Sequence, residues 1–247
     1  MSSRRSDKVA LAYVHGHDVT HSFHHSLMAL VAHDLTTHRR VVEGDWLATR
    51  YGTGGIVKAR NNTARKFLHD GDSDWLMWID TDMGFEADSI DRLLDAADPE
   101  TAPIVGGLCF TMREVGADGS GGMLVQPVPT IYRWTSTTSE DGSERAGYSP
   151  CLDYPRDAFM RCDATGSAFV LIHRSALAAI EAEFGDWYTP VWNPSVSEFV
   201  SEDLAFCMRA NALELPIHVH SGIKTTHMKS VWVDERFSDR LDRIRVA

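Results

Sequence analysis

Five consecutive apolar residues, Trp75–Ile79, stand directly before Asp80-Thr81-Asp82, and this junction constrains the fold more than any other feature of the chain. A run that is apolar at every position has no solvent face. As a strand it must be covered on both sides, which is the condition of a central strand in an α/β sheet. Open α/β sheets bind their ligands at the carboxyl ends of such strands, and here that end carries two carboxylates.

The flanking pattern agrees. Val9 to Val14 reads as a buried strand closed by the turn His15-Gly16-His17. A helix follows from about Thr20 to His33, with Phe23, Leu27, Leu30 and Val31 on one face. Arg39 to Val42 reads as a weaker strand. The glycines Gly52, Gly54 and Gly55 then introduce a helix from Ile56 to His69 that buries Val57, Ala64, Phe67 and Leu68. A helix near Asp88 to Ala97 and a strand near Ile104 to Phe110 continue the alternation, which predicts an α/β sandwich. Gly116 to Gly122 and Thr135 to Gly147 read as loops around a strand at Thr130 to Trp134. A strand at Ala168 to His173, helices at Ser175 to Phe184 and Ser201 to Asn211, and an extended stretch from Ile217 to Thr226 complete the body. Beyond Asp234, Phe237, Leu241 and Ile244 recur at helical spacing and predict a tail that docks on the body or a partner. With no internal repeat and no linker, one domain is expected.

Of the 247 residues, 43% are hydrophobic and 24% charged, enough for a sizeable core. No run of about 20 apolar residues exists, so no membrane span is expected, and the opening segment through Val14 reads as a tail entering the first strand. Cys109, Cys151, Cys162 and Cys207 are scattered without C-x-x-C spacing, which fits a reducing cytoplasm. A net charge of -11 argues against a nucleic-acid partner. A chain this acidic that handles a diphosphate needs local cations or a metal.

Asp80 and Asp82 can bracket one oxygen-loving cation such as Mg2+ or Mn2+. A bare D-x-D is equally what a turn cap followed by a solvated loop residue looks like. Asp70-Gly71-Asp72-Ser73-Asp74 starts like a calcium loop, but the sixth position is Trp75 and the twelfth is Thr81, so a polar turn is expected. Arg60 and Asn61 fall in the first turns of the second helix, where an anion is favoured; a surface arginine beside a glycine-rich turn is the plainer reading. Glu202 and Asp203 follow Ser201 at a helix start, where acidic residues stabilise the helix dipole. Asp203 is free for a second task, accepting a proton from a hydroxyl. His21 and His25, one helical turn apart and beside His24, read as a solvated face. His227 is a plausible third metal ligand, and His218 and His220 share one face of a strand.

In order and spacing these pieces resemble the GT-A fold glycosyltransferases, especially family-2-like enzymes and their compact phage and bacterial relatives. The matching segments are Ala59-Arg60-Asn61, Trp75 through Asp82, Asp163-Ala164-Thr165-Gly166-Ser167-Ala168-Phe169, Ser201 through Phe206, and Thr226-His227-Met228-Lys229. The resemblance implies an α/β/α sandwich with a mostly parallel sheet. It divides the chain into a nucleotide-binding half at about 8–112, an acceptor half at about 113–233 and a helical tail at 234–247.

It also implies roles. Val14 and His15 would face the nucleotide base; Arg60 and Asn61 would contact the nucleotide or sugar. Asp80 and Thr81 would lie along the nucleotide-sugar, with Asp80 near ribose and metal, and Asp82 with His227 would ligate Mn2+ or Mg2+. Gly166 and Ser167 would shape the sugar pocket, Lys229 would reach the diphosphate, and Asp203 would be the base with Glu202 beside it. Trp192 would cover the acceptor side, and Trp187, Trp192 and Trp232 are candidates for stacking on sugars.

The usual Pro-x-Tyr-Asn start is replaced by His15-Gly16-His17, and the R/Q-x-x-R-W type motif of processive synthases is absent, which points to transfer of a single sugar. The partners that the resemblance implies are a nucleotide-sugar donor, UDP-linked, and a hydroxyl acceptor on a protein, glycan or small molecule; homo-oligomers are compatible. Retaining transfer, nucleotidyl transfer, and a non-catalytic carbohydrate-binding protein on the same scaffold are the alternatives.

Overall fold

The computed structural model describes residues 7–117, 123–138, 142 and 144–230. The expected tail at Phe237, Leu241 and Ile244, together with Trp232, lies outside the described residues, as does the stretch 118–122. In chain order the elements are β1 (Val9–His15), α1 (His21–Thr36), β2 (Trp46–Arg50), α2 (Gly55–Asp70), β3 (Trp75–Ile79), β4 (Met83–Gly84), α3 (Ser89–Ala96), β5 (Ile104–Leu108), β6 (Phe110–Ala117), β7 (Met123–Pro129) and β8 (Ile131–Thr138). They continue as β9 (Glu144–Pro150), β10 (Phe159–Cys162), β11 (Ala164–Thr165), β12 (Phe169–His173), α4 (Arg174–Phe184), β13 (Val191–Asn193), β14 (Glu198–Val200), α5 (Glu202–Ala212), β15 (Ile217–Lys224) and β16 (Thr226–His227).

Seven strands form the central sheet in the order β10-β15-β5-β12-β3-β1-β2. β2, β1 and β3 are parallel, β12 is antiparallel to both β3 and β5, β15 is parallel to β5, and β10 is antiparallel to β15. The sheet is therefore mostly parallel, with β12 and β10 opposed. β3 is central as its composition demands: each of its five residues is buried. Alternation along it feeds two cores. Leu76 and Trp78 pack with Ala59 and Phe67 of α2, Leu177 of α4 and Phe206 of α5. Trp75, Met77 and Ile79 pack with Phe23 and Leu30 of α1 and with Ile90 and Leu93 of α3. Full burial of each such side chain stabilises by about 1.5–3 kcal/mol, and helices on both faces make the expected α/β/α sandwich.

Two expectations are corrected. Arg39 to Val42 is a turn. The Asp34 carboxylate accepts the backbone N–H groups of Arg40 at 2.9 Å, Val41 at 3.0 Å and Val42 at 2.8 Å, while Arg39 takes a positive φ of 58°. With those donors engaged by a side chain no ladder can form, and the second strand begins at Trp46. The middle of the chain, expected to be loops around one strand, is two antiparallel hairpins, β6–β7 and β8–β9. After Ile131 and the half-buried Tyr132, β8 is exposed to its end, so it carries none of the apolar alternation by which a strand is recognised.

Candidate functional site

The carboxyl ends of β1, β2 and β3 converge with the start of α5 and with β16. Thr20 caps α1 by accepting from the Phe23 N–H at 3.2 Å. Its own N–H and hydroxyl both donate to the Thr81 carbonyl, at 2.9 and 3.1 Å. The turn Asp80-Thr81-Asp82 is thus held through its backbone, leaving its carboxylates for other tasks.

The two carboxylates have different partners. Asp82 Oδ2 lies 3.1 Å from His227 Nε2 and 3.6 Å from Lys229 Nζ. His227 is delivered by β16, which pairs with β4 so that His227 lies opposite Met83. Its Nδ1 is 2.8 Å from the Phe110 carbonyl oxygen. A carbonyl can only accept, so Nδ1 carries the hydrogen, and in the neutral ring Nε2 presents a lone pair toward the carboxylate. Two acceptors facing each other need a cation between them, either a proton on Nε2 or a metal ion. Two donors bound to one ion at about 2.1 Å and a right angle lie about 3 Å apart, close to the observed separation. Burial opposes charge on Asp82, but the hydrogen bond and charge of His227, with Lys229 beyond, hold its carboxyl below the ordinary range.

Asp80 is placed apart from that pair. Its Oδ1 accepts from Arg60 Nη2 at 2.7 Å. Among the described residues no three His, Cys, Asp or Glu side chains gather as a metal cage; Asp82 and His227 face each other as a pair. Arg60 itself is only 2% exposed, not the surface arginine that its position near a glycine turn suggested. Its guanidinium lies over the rings of Trp78 and Tyr188, 5.0 and 5.9 Å from their centroids. Nη1 reaches the Ser167 carbonyl at 3.5 Å, and Nε is 4.0 Å from Glu202 Oε1.

Asn61, expected to contact the donor, is engaged by the protein. Its Oδ1 accepts the N–H groups of Trp187 at 3.1 Å and Tyr188 at 2.9 Å, and its Nδ2 is 3.5 Å from Thr189 Oγ1. Trp187 is corrected as a sugar-stacking candidate: it is fully buried, with Nε1 donating to the Leu177 carbonyl at 2.8 Å.

At the start of α5, Ser201 makes no capping bond from its side chain. Its hydroxyl instead donates to Asp203 Oδ1 at 2.5 Å, and the Leu204 N–H donates to the same oxygen at 2.8 Å. Asp203 Oδ2 lies over Gly166, 3.5 Å from where a Cβ on that glycine would stand. Burial, then the charge of Asp203, pushes the Glu202 carboxyl above its ordinary range.

Val14 is buried at the end of β1, and His15 Nδ1 meets the Gly16 carbonyl at 3.0 Å. Sequence reasoning missed Tyr51 beside them. Its ring is 46% exposed at the end of β2, and its hydroxyl would stand 3.0 Å from a Cβ on Gly16. An aromatic residue before Gly52 was the available signal, hidden by placing the second strand too early. Trp192 on β13 is half exposed and meets Phe199 of β14 edge to face, with centroids 5.1 Å apart. The hairpin is anchored by Asn193 Nδ2 and Ser195 Oγ, each 2.8 Å from the Ala146 carbonyl.

Neither a known family nor a curated protein matches the sequence. Among solved structures, A197 from STIV aligns at 13% identity over 90% of this chain and 86% of its own, with a TM-score of 0.48. GalNAc-T7, solved with UDP, GalNAc and Mn2+, aligns at 10% identity over 89% of this chain, with a TM-score of 0.53. The alignment spans 43% of that longer chain, less than half its length. The likeness to GalNAc-T7 is one of fold, an α/β sandwich around a mostly parallel sheet.

Proposed function

We propose that the protein is a divalent-metal-dependent glycosyltransferase that moves one sugar from a nucleotide-diphosphate sugar, UDP-linked, to a hydroxyl acceptor with inversion. The observation that carries this reading is the opposition of Asp82 Oδ2 and the His227 Nε2 lone pair, with the imidazole orientation locked by Phe110. It stands at the carboxyl end of β3, where the fold binds ligands. One carboxylate oxygen and one imidazole nitrogen suit Mn2+ better than the all-oxygen preference of Mg2+. With two protein donors, most of the coordination is left to the diphosphate and water. A cation held there would neutralise the charge that builds on the departing diphosphate.

The protein's own groups divide the remaining tasks. Lys229 lies on the same side as Asp82 and adds a cation for the diphosphate. Val14 and His15 end the strand beside the exposed Tyr51 ring, a stacking surface for the base. Thr81 is fixed through its backbone, and Gly166 with Ser167 leaves room for the sugar next to Asp203. Both hydrogen bonds to Asp203 go to Oδ1, so Oδ2 is the oxygen available as base. The acceptor oxygen forms a bond to the anomeric carbon, the bond from that carbon to the phosphate oxygen breaks with its electron pair leaving on the diphosphate, and the acceptor proton goes to Oδ2. Trp192 with Phe199 offers an aromatic surface on the acceptor side, four residues before Asp203 in the chain.

The test is release of UDP from a panel of UDP-sugars with and without Mn2+. Metal-dependent release that is lost in Asp82→Asn and in Asp203→Asn is expected; unchanged turnover in both variants overturns the assignment.

A further inference from the structure

The Arg60 guanidinium is buried as few charged groups are, and its Nε–H has no hydrogen-bond partner among the described residues. A charge withdrawn from water in this way is retained only where opposite charges face it. Three carboxylates do so, from two different segments: Asp80 after β3, and Glu202 and Asp203 on the first turn of α5. The geometry is unequal. Asp80 takes a full hydrogen bond at 2.7 Å, while Glu202 Oε1 remains 4.0 Å from the unpartnered Nε. Trp78 and Tyr188 fix the plane of the fork, and the Ser167 carbonyl receives its other arm.

We propose that Arg60 is a positioning residue that does not touch the donor, serving as the shared counter-charge that couples the donor-side Asp80 to the acidic pair of the acceptor side. This rests on the transferase reading for its purpose, although the coupling itself does not need it. One cation held between Asp80 and Glu202 makes the charge on Glu202 depend on where Asp80 stands. Rotation of Asp80 away from Arg60 would leave the fork free for Glu202, moving the carboxyl that adjoins Asp203. A planar guanidinium performs this with two arms and Nε in fixed relation, which an ammonium cannot do.

The test follows the Glu202 side-chain carboxyl by carbon-13 NMR in the full chain across a pH titration, with no donor present. Arg60→Met removes the counter-charge and is expected to raise the apparent Glu202 pKa by about one unit or more. Asp80→Asn, altering a partly exposed side chain, removes a competing anion and is expected to lower it. Glu202 titrating at the wild-type pH in Asp80→Asn, and in Arg60→Met where that variant folds, overturns the proposal. A kinetic arm uses Arg60→Lys, which keeps charge without the fork. UDP-sugar turnover is expected to fall about 10- to 100-fold, with the loss in kcat; a rise in donor KM with kcat unchanged would mean that Arg60 contacts the donor, and overturns it. A wild-type protein that releases no UDP defeats the transferase reading and leaves the titration result standing.

Discussion

Asn61→Ala separates a clamp from a donor contact. The Asn61 Oδ1 receives two backbone N–H groups, from Trp187 and Tyr188, both residues fully buried. Alanine leaves both donors without a protein acceptor. Each orphaned buried donor costs about 1–3 kcal/mol, so the variant loses about 2–6 kcal/mol. At about 2–4 °C per kcal/mol for a chain of this size, a mid-range loss of about 4 kcal/mol lowers Tm by about 8–16 °C. Differential scanning calorimetry of the full chain measures this directly. Thr189→Ala, which removes the 3.5 Å contact to Nδ2 and the exposed hydroxyl's hydrogen bond to Asp186, is the control and should lower Tm by no more than about 4 °C. A drop of less than about 2 °C in Asn61→Ala would refute the reasoning and return Asn61 to the ligand.

The pH dependence of stability offers another check through Glu202, whose carboxyl is raised above the ordinary 4.5 by burial and by Asp203. A raised carboxyl leaves stability unaffected below the unfolded pKa and destabilises the folded state increasingly as pH rises through the folded one. Glu202→Gln should therefore match wild type in Tm below about pH 4 and exceed it at pH 7; a lower Tm at pH 7 contradicts this. In Gly166→Ala the new Cβ meets Thr130 Cβ at 3.4 Å and Asp203 Oδ2 at 3.5 Å, both ordinary contacts. Tm should hold within about 2 °C while UDP release falls at least about 10-fold, because the methyl group fills the space beside the basic oxygen. Trp192→Ala removes a half-exposed ring; acceptor KM should rise with Tm unchanged, and a fall in Tm without a kinetic effect would make the ring structural.

Much of the fold was legible because β3 is unambiguous: a strand apolar at every position fixes its own place inside the sheet and sets Asp80 and Asp82 at its carboxyl end. The helices were legible within a few residues from their apolar faces. The hairpins β6–β7 and β8–β9 were not, since strands with solvent on their faces leave no periodic trace. The turn at Arg39 was hidden for a different reason, the Asp34 carboxylate, six to eight residues before the backbone donors it takes. At the site, Asp82 and His227 were paired in expectation across 145 positions and stand 3.1 Å apart. Arg60 and Asn61 lie on the expected helix, but whether such side chains point inward or toward a ligand depends on which neighbours cover them. Here those neighbours are Trp78, Tyr188 and the 187–189 backbone, and no local pattern around position 60 records them.

The central claim is that Asp82 and His227 hold one divalent ion with a nucleoside diphosphate. Calorimetric titration of UDP into the full chain, with and without Mn2+, tests it without knowledge of sugar or acceptor. UDP binding should strengthen at least about 10-fold with Mn2+ in the wild type, and that gain should vanish in Asp82→Asn and in His227→Ala. Equal UDP affinity with and without the metal, or a full metal effect surviving in both variants, would contradict the account.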